Sequence, residues 1–428
     1  QRIKCQRYYD GETDIGFEDG RSRVTATKVR DTVNSVKPSI MRVFMSTSKP
    51  VEFVPTGVED VPICEQATNF IHHEFQRLNG YRVLSDAIHD ALVKKQGIIK
   101  TYYKNYSKAK IYTFTDLSED ELTLLTNDND VTIISQEMEM AMTVDEFGTE
   151  VEAPKYSVKL SRQSMQGELC LESVPPEEFF VNTDARTMED AYIVAHRTEM
   201  RAGDVVAMGF EPEVIYKLDG LTSGSDITET EVHQRQGYDE DYGESDEIDP
   251  SMKNVLITEA YMRLDVDGTG IPVLHKFLCG GSKYELLDFE PCDHIPMVKI
   301  EALPEPHSFY GNALAEYILD DQDASSAILR GILDNVALTN SPRMAFIEGA
   351  ANISDLMNSE IGGLVRLRQP GAVQPLEVPF TAGQTLGALE YMDKLVEQKT
   401  GVTNNIALNP DSLQSTTQAA VTATVEAA

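Results

Sequence analysis

Positive charge is scarce in this sequence: 37 lysines and arginines stand against 70 aspartates and glutamates, a net charge of -33 over 428 residues. Non-specific affinity for nucleic acid comes from basic side chains that displace counterions from phosphates, so the balance argues against tight nucleic-acid binding. It does not argue against passage of a duplex, because a wall that repels phosphate lets DNA slide; the plainest meaning of the charge is solubility. Long apolar runs are also missing. None approaches the roughly 20 residues a helix needs to cross a bilayer, and no signal peptide opens the chain. The cysteines are few and scattered (Cys5, Cys64, Cys170, Cys279, Cys292) with no CxxC pair, as expected of reduced thiols in a cytoplasmic assembly environment. The chain opens on Gln1 rather than Met and closes on an uncapped helical stretch, which leads us to expect further residues at both ends.

Catalytic signatures are missing too. The sequence has no Walker lysine loop, no GxSxG elbow and no GxGxxG, hence no phosphate cradle of known type. Asp265, Asp267, Thr269 and Gly270 resemble the opening of a calcium loop, but Lys276 stands at the twelfth position where a bidentate Glu belongs. His275, Cys279, Cys292 and His294 could supply four zinc ligands, yet the first pair lies about 13 Å apart along an expected strand. His72-His73-Glu74 lacks the HExxH order, and the side chains of Asp320-Asp321-Gln322-Asp323 fan around a helix where two-metal chemistry needs convergence. We expect no enzyme activity, cofactor or metal.

What is present is an α+β pattern in a chain long enough for about three folding units. Val29, Val33, Val36, Ile40 and Phe44 predict a helix over 24–47 that Pro38 interrupts. Further helices are expected over 63–78, ended by Asn79-Gly80, and over 83–93, with strand character from Ile98 to Tyr103. Residues 117–126 read as a short helix, 131–135 and 156–160 as strands, Val174–Val181 as a loop entering a strand, and 202–208 as a helix stopped by Gly209. The segment 226–249, with ten acidic residues against Arg235, reads as a solvated mobile loop. Strands return at Val255–Met262 and Val273–Leu278 around an Asp267-Gly268 turn.

From Gly311 onward the pattern is helix, small β unit, helix. Asn312–Asn340 carries an apolar stripe (Leu314, Ile318, Ile328, Ile332, Val336, widened by Leu329 and Leu333) and five acids against Arg330, and Pro342 closes it. Strands are expected at Met344–Ile347 and Leu364–Leu367, with a short helix near 353–357 between them, punctuated by Gly362-Gly363, Pro370-Gly371, Pro375 and Pro379. A second helix spans 382–399 and stops at Gly401. This order makes an antiparallel pair with a compact module at its far end. Neither helix can bury its stripe alone, so packing between subunits is expected. From Gln414 the chain is Ser, Thr, Gln, Ala and Val with Glu426 as its only charge.

The blocks His307-Ser308-Phe309-Tyr310-Gly311-Asn312-Ala313-Leu314, Asp321-Gln322, Ile328 to Asn335 and Asn340-Ser341-Pro342-Arg343 resemble the portal (head-to-tail connector) family of tailed bacteriophages. So do Gly362 to Arg366, Thr400-Gly401-Val402, Leu408 to Leu413 and Thr416-Thr417, and upstream Asp31 to Ser39 and Val174 to Phe179. The resemblance lies in their order and spacing, over residues 24–428. It implies a ring of roughly twelve subunits at one capsid vertex. Residues 1–310 would be an α+β wing, 311–340 and 382–400 the two stem helices and 341–381 a β-containing clip. Residues 401–415 would be a tunnel loop, and 416–428 the start of a helix towards a crown that is truncated here. The acidic loop 226–249 departs from the family pattern.

The implied partners are double-stranded DNA, a terminase motor, tail adaptor proteins, and the major capsid and scaffolding proteins; no membrane is implied. Thr403, Asn404, Asn405, Asn409, Ser412 and Gln414 become tunnel-loop candidates that touch DNA through weak contacts carrying no sequence information. Glu316, Asp320 and Asp323 become an acidic stem face turned to DNA or solvent, and Arg343, Glu348, Arg366 and Arg368 become docking candidates on the clip. Two other readings compete: a different head–tail ring protein, such as an adaptor, and a metal-dependent phage nuclease working through Asp321 and Asp323.

Overall fold

A computed structural model describes residues 1–45, 51–126, 131–144, 150–220, 231, 234, 249–266, 268–358 and 363–401. The chain forms two compact units. One takes residues 1–97 and the described chain from 299 onward; the other takes Ile98–Val298. The first 97 residues therefore share a unit with the long helices near the C-terminus. Among the described residues no helix is long and apolar enough to cross a membrane.

The first unit is mostly helical: α1 (Arg2–Tyr9), α2 (Lys28–Met45), α3 (Val61–Arg77) and α4 (Gly80–Lys94). Helix α2 runs straight through Pro38, where the sequence predicted a break. Proline removes one backbone hydrogen bond, but Val33 and Val36 before it and Ile40 and Met41 after it pack into one core, so tertiary burial outweighs the local cost. That core joins Cys5 and Tyr8 of α1, Val29 and Val33 of α2, Ile88, Leu92 and Val93 of α4, and Ala313, Ala315, Ile318, Leu319 and Val396 from the C-terminal part. Gly97 lets the chain leave α4 closely: a Cβ there would sit 1.9 Å from the carbonyl oxygen of Ala87.

The second unit holds two sheets. In the first, β1 (Gly97–Leu117), β2 (Val131–Val144) and β3 (Glu150–Val174) run antiparallel in the order β2-β3-β1, with Ile98 opposite Val174 and Val131 opposite Arg162. Helix α5 (Glu119–Thr126) falls between β1 and β2, and the strands extend well past the short alternating stretches that the sequence marked. Ile133, Ile134, Met138 and Met140 of β2 lie exposed, so inside–outside alternation does not report the length of this strand.

The second sheet is an antiparallel meander of β4 (Phe179–Val181), β5 (Ile193–Arg201), β6 (Asn254–Leu264), β7 (Val273–Gly280) and β8 (Glu285–Pro291). The short helices α6 (Ala202–Ala207) and α7 (Pro212–Ile215) cover it through Ala202, Val205 and Ile215 against Val255 and Ile257. Asp265 accepts hydrogen bonds from the Thr269 and Gly270 amides, making it a turn residue of the β6–β7 hairpin. The acidic segment falls almost wholly outside the described residues.

After β9 (Met297–Ile300) and a 3-10 turn at Leu314–Tyr317, the chain enters α8 (Leu319–Asn340), β10 (Met344–Phe346), α9 (Ile353–Met357), β11 (Val373–Pro375) and α10 (Ala382–Thr400). The expected helix from Asn312 is thus split. Its first turn is tighter, Ile318 has φ −112°, and the regular helix starts at Leu319. The strand expected at Leu364–Leu367 is also corrected. There Leu367 makes only an isolated bridge to Ala351, and the strand that pairs β10 is β11, with Met344 opposite Pro375 and Phe346 opposite Val373. Pro375 can close this ladder because, in a two-stranded unit, every strand is an edge.

Candidate functional site

Helices α8 and α10 lie antiparallel, and side-chain contacts fix both ends of the pair. At one end Lys399, in the last turn of α10, sets its ammonium 2.7 Å from Asp321 Oδ2 in the first turn of α8. Asp321 also favours the positive end of the α8 dipole. At the other end Asn335 Oδ1 accepts from the Thr381 and Ala382 amides at 3.0 and 3.2 Å, and its Nδ2 donates to the Pro379 carbonyl at 3.0 Å. Thr381, the residue preceding α10, gives no side-chain cap of its own. A residue of α8 thus satisfies orphan amides of α10. Lys28 of α2 pairs with Asp393 midway along α10.

The acids singled out in the sequence take different places. Glu316 is mostly buried and pairs with Lys95 at 3.0 Å. Asp323 accepts a 2.6 Å hydrogen bond from the Tyr8 hydroxyl, which itself accepts from the Asp14 amide. Burial, and then the Asp323 carboxylate, push the Tyr8 phenol well above its ordinary range. Asp320 is exposed.

The most buried face of α8 is polar. Gln322, Ser325, Ser326 and Arg330 are all buried, whereas Leu333 is exposed and Ile328, Ile332 and Val336 only half-buried. Gln322, Ser326, Arg330 and Asp334, spaced by four, make one ladder along the helix. Gln322 Nε2 donates to the carbonyls of Tyr8 and Glu12, and its Oε1 accepts from the Val29 amide. Ser326 accepts from the Ala26 amide while donating to the Gln322 carbonyl. Arg330 donates to the carbonyls of Val24, Ile15 and Gly16 and to the Thr13 hydroxyl, with its guanidinium 4.6 Å from the Phe17 ring centroid. Asp334 accepts from the Ser22 amide. Sequence reasoning treated this helix by its apolar stripe and missed the ladder, although four polar residues at helical spacing were there to be read.

Between the two helices, the β10–β11 module is held by Arg366, which clasps both oxygens of Asp355 at 2.7 and 2.9 Å. The guanidinium holds the Asp355 carboxyl below the usual carboxylate range. Arg343, Glu348 and Arg368 are exposed and project from the same module. Around them lie exposed apolar side chains, among them Phe346, Ile347, Met357 and Leu364, the last 91% exposed. Exposed apolar surface at this density marks a place where something packs.

Across its whole length, residues 1–428, the chain matches the family described as the phage SU10 portal protein. It belongs to the phage portal protein family. Membership implies a structural role in a ring oligomer associated with the capsid vertex of the virion. No curated protein matches the chain. Of the residues considered for this portal chain from sequence, Thr403, Asn404, Asn405, Asn409, Ser412 and Gln414 lie outside the described residues, as does the rest of 402–428.

A second polar cluster lies inside the sheet-rich unit of the portal chain. Lys100 of β1, almost fully buried, reaches Glu259 of β6 at 2.7 Å and His196 Nδ1 of β5 at 3.1 Å, with Glu172 at 3.9 Å. Because the ammonium can only donate, His196 Nδ1 accepts and Nε2–H donates to Glu178 at 3.2 Å. The residues border a cavity of about 400 Å³ whose other walls include Val174, Met200, Ile257 and Leu278. These charges answer one another and tie the two sheets together. Among the described residues, no three of the His, Cys, Asp and Glu side chains are grouped to hold a metal ion.

Proposed function

We propose that copies of this chain close into a ring of roughly twelve subunits at a unique capsid vertex. The ring is the conduit and valve for double-stranded DNA during packaging and ejection, and a docking platform for the terminase motor and tail adaptors. In this reading α8 and α10 are the stem, residues 341–381 the clip, and 401–415 a tunnel loop leading towards a crown; the sheet-rich unit belongs to the wing. Capsid and scaffolding proteins surround the ring. The chain acts structurally, with force supplied by an ATP-driven partner.

The observation that carries this reading is the antiparallel α8–α10 pair, tied at both ends by Asp321–Lys399 and Asn335–Ala382, with an apolar-surfaced module between the helices. A pair locked in this way is a stiff rod, and such rods side by side make a collar. The charge of -33 suits a channel that must not grip phosphate. On the clip, Arg343, Glu348 and Arg368 are exposed charged positions available for docking, whereas Arg366 is committed to Asp355.

Negative-stain imaging of the purified protein tests the proposal. Rings with a central hole wide enough for a duplex are expected. Compact monomers persisting at high protein concentration would overturn it.

A further inference from the structure

Residues 10–27, between α1 and α2, form no helix or strand, and none of them is fully buried; Phe17 is 55% exposed and Val24 44%. The segment nevertheless covers the polar face of α8. Eight main-chain groups between Tyr8 and Val29 are bound by three rungs and the terminal acid of the ladder: the carbonyls of Tyr8, Glu12, Ile15, Gly16 and Val24 and the amides of Ser22, Ala26 and Val29. Most of the attachment to the ladder is hydrogen bonding to backbone, joined by the Thr13 hydroxyl and Phe17 ring at Arg330 and by Arg21 beside Asp334, while Glu12 and Asp14 pair with Arg7 and Lys4 of α1; little apolar surface is buried.

We infer that residues 10–27 are a releasable strap, and that its docking on Gln322, Ser326, Arg330 and Asp334 fixes the setting of α8 against α1 and α2. Three physical points lead there. A segment with few buried apolar contacts opens at a small part of the cost of global unfolding. The face it leaves is polar, so release wets side chains that water can satisfy, where an apolar stripe would carry a hydrophobic penalty. On the same helix the Ser325 hydroxyl and Oδ1 of Asp323 are buried without a hydrogen-bond partner, a cost that the present packing of α8 carries. Release leaves the apolar core of Val29, Val33, Ile88, Leu92, Ile318 and Leu319 in place, because no residue of the strap belongs to it.

Once the strap is off, α8 is held to the rest of the unit by that core, by Lys95–Glu316 just before it, by the hydrogen bonds of Gln322 and Asp323 to Tyr8 and of Gln322 to Val29, and by its contacts with α10. From Ser326 onward, where the rungs bind strap residues alone, the helix gains freedom along its polar side. The strap is thus a clamp on the long helix, and the ladder reads main chain, so the clamp depends on strap conformation more than on strap side chains.

Hydrogen–deuterium exchange on the full-length chain tests this, independently of whether the ring conducts DNA. In the wild type the strap amides, Ser22 and Ala26 among them, should exchange at least about 100-fold faster than amides in the middle of α4, with no dependence on low urea concentrations. Arg330→Ala should speed strap exchange by a further tenfold or so and leave α4 unchanged. If strap and α4 amides exchange at one rate with one urea dependence, the strap is an integral part of the core and the inference falls. It also falls if Arg330→Ala speeds both regions equally. Should Arg330→Ala fail to fold, the wild-type comparison decides alone.

Discussion

Lys399 and Asp321 join the last turn of one long helix to the first turn of the other, and they are unequally exposed: the Lys399 side chain is 43% accessible, Asp321 only 7%. The pair therefore matters more to the acid than to the base. Replacing Lys399 by Met leaves a buried carboxylate without its cation, and about 2 kcal/mol of stability should be lost, a figure reduced from that of a fully buried pair because Lys399 is solvated. Adding Asp321→Asn should recover part of that loss. Urea unfolding of the two single variants and the double variant gives the coupling directly, and a coupling of zero would mean that the pair is incidental.

Asn335 plays the matching role at the opposite end. Asn335→Ala removes two acceptor contacts to the start of α10 and one donor contact to Pro379, and should cost about 1–2 kcal/mol. Asn335→Asp keeps the acceptor and adds a negative charge beside a helix N-terminus, so it should lose less than half as much. Thermal unfolding of both variants is the check; equal losses would show that the donor contact to Pro379 dominates.

The ends of α3 and α10 were legible because Asn79-Gly80 and Gly401 are chemical punctuation, and both Asn79 and Gly401 adopt positive φ. The membership of the core in α2 was legible for the same local reason, a three-and-four spacing of valines. What was not legible depends on partners distant in sequence. Pro38 is carried by packing on both sides of it, and the register that makes Val373–Pro375 the partner of Met344–Phe346 is set between segments far apart in sequence, Phe346 and Val373 being their closest pair. Above all, α8 was read by its apolar residues, although its deepest face is Gln322, Ser326 and Arg330. Periodicity equates burial with apolarity, and that equation fails where a strap of irregular chain presents backbone to be bound.

Cys5 provides a chemical probe of the helical core. All five cysteines are free thiols, and burial together with the nearby Glu316 carboxylate pushes Cys5 up to about 11. Thiolate is the reactive form, so at pH 8 Cys5 should be alkylated about 100-fold more slowly than an ordinary thiol even before steric protection counts. Mass-spectrometric mapping after brief iodoacetamide treatment should find Cys5 the last site labelled in the native protein and an ordinary one in urea. Early labelling of Cys5 would mean that α1 detaches readily from its core.

His89 sets a pH limit on the same unit. It lies on α4 with its ring edge-on to Tyr9, centroids 5.0 Å apart, and burial, then Lys37 and Lys94, lower it from about 6.5 to about 4 against a weaker opposing pull from Asp86. The folded protein therefore keeps this imidazole neutral over a range in which the unfolded chain takes up a proton. Between about pH 6.5 and pH 4 the unfolded state binds the extra proton, so stability falls as the pH falls, by up to about 3 kcal/mol; below pH 4 this group adds nothing further. Carboxylates elsewhere contribute their own acid dependence, which is why the comparison must be between two proteins. His89→Gln cannot titrate, and its urea midpoint should lose less than the wild type's does between pH 7 and pH 4.5. Parallel curves for the two proteins would show that the imidazole is reached by water in the folded state and that the α1–α4 contact is looser than the ring geometry implies.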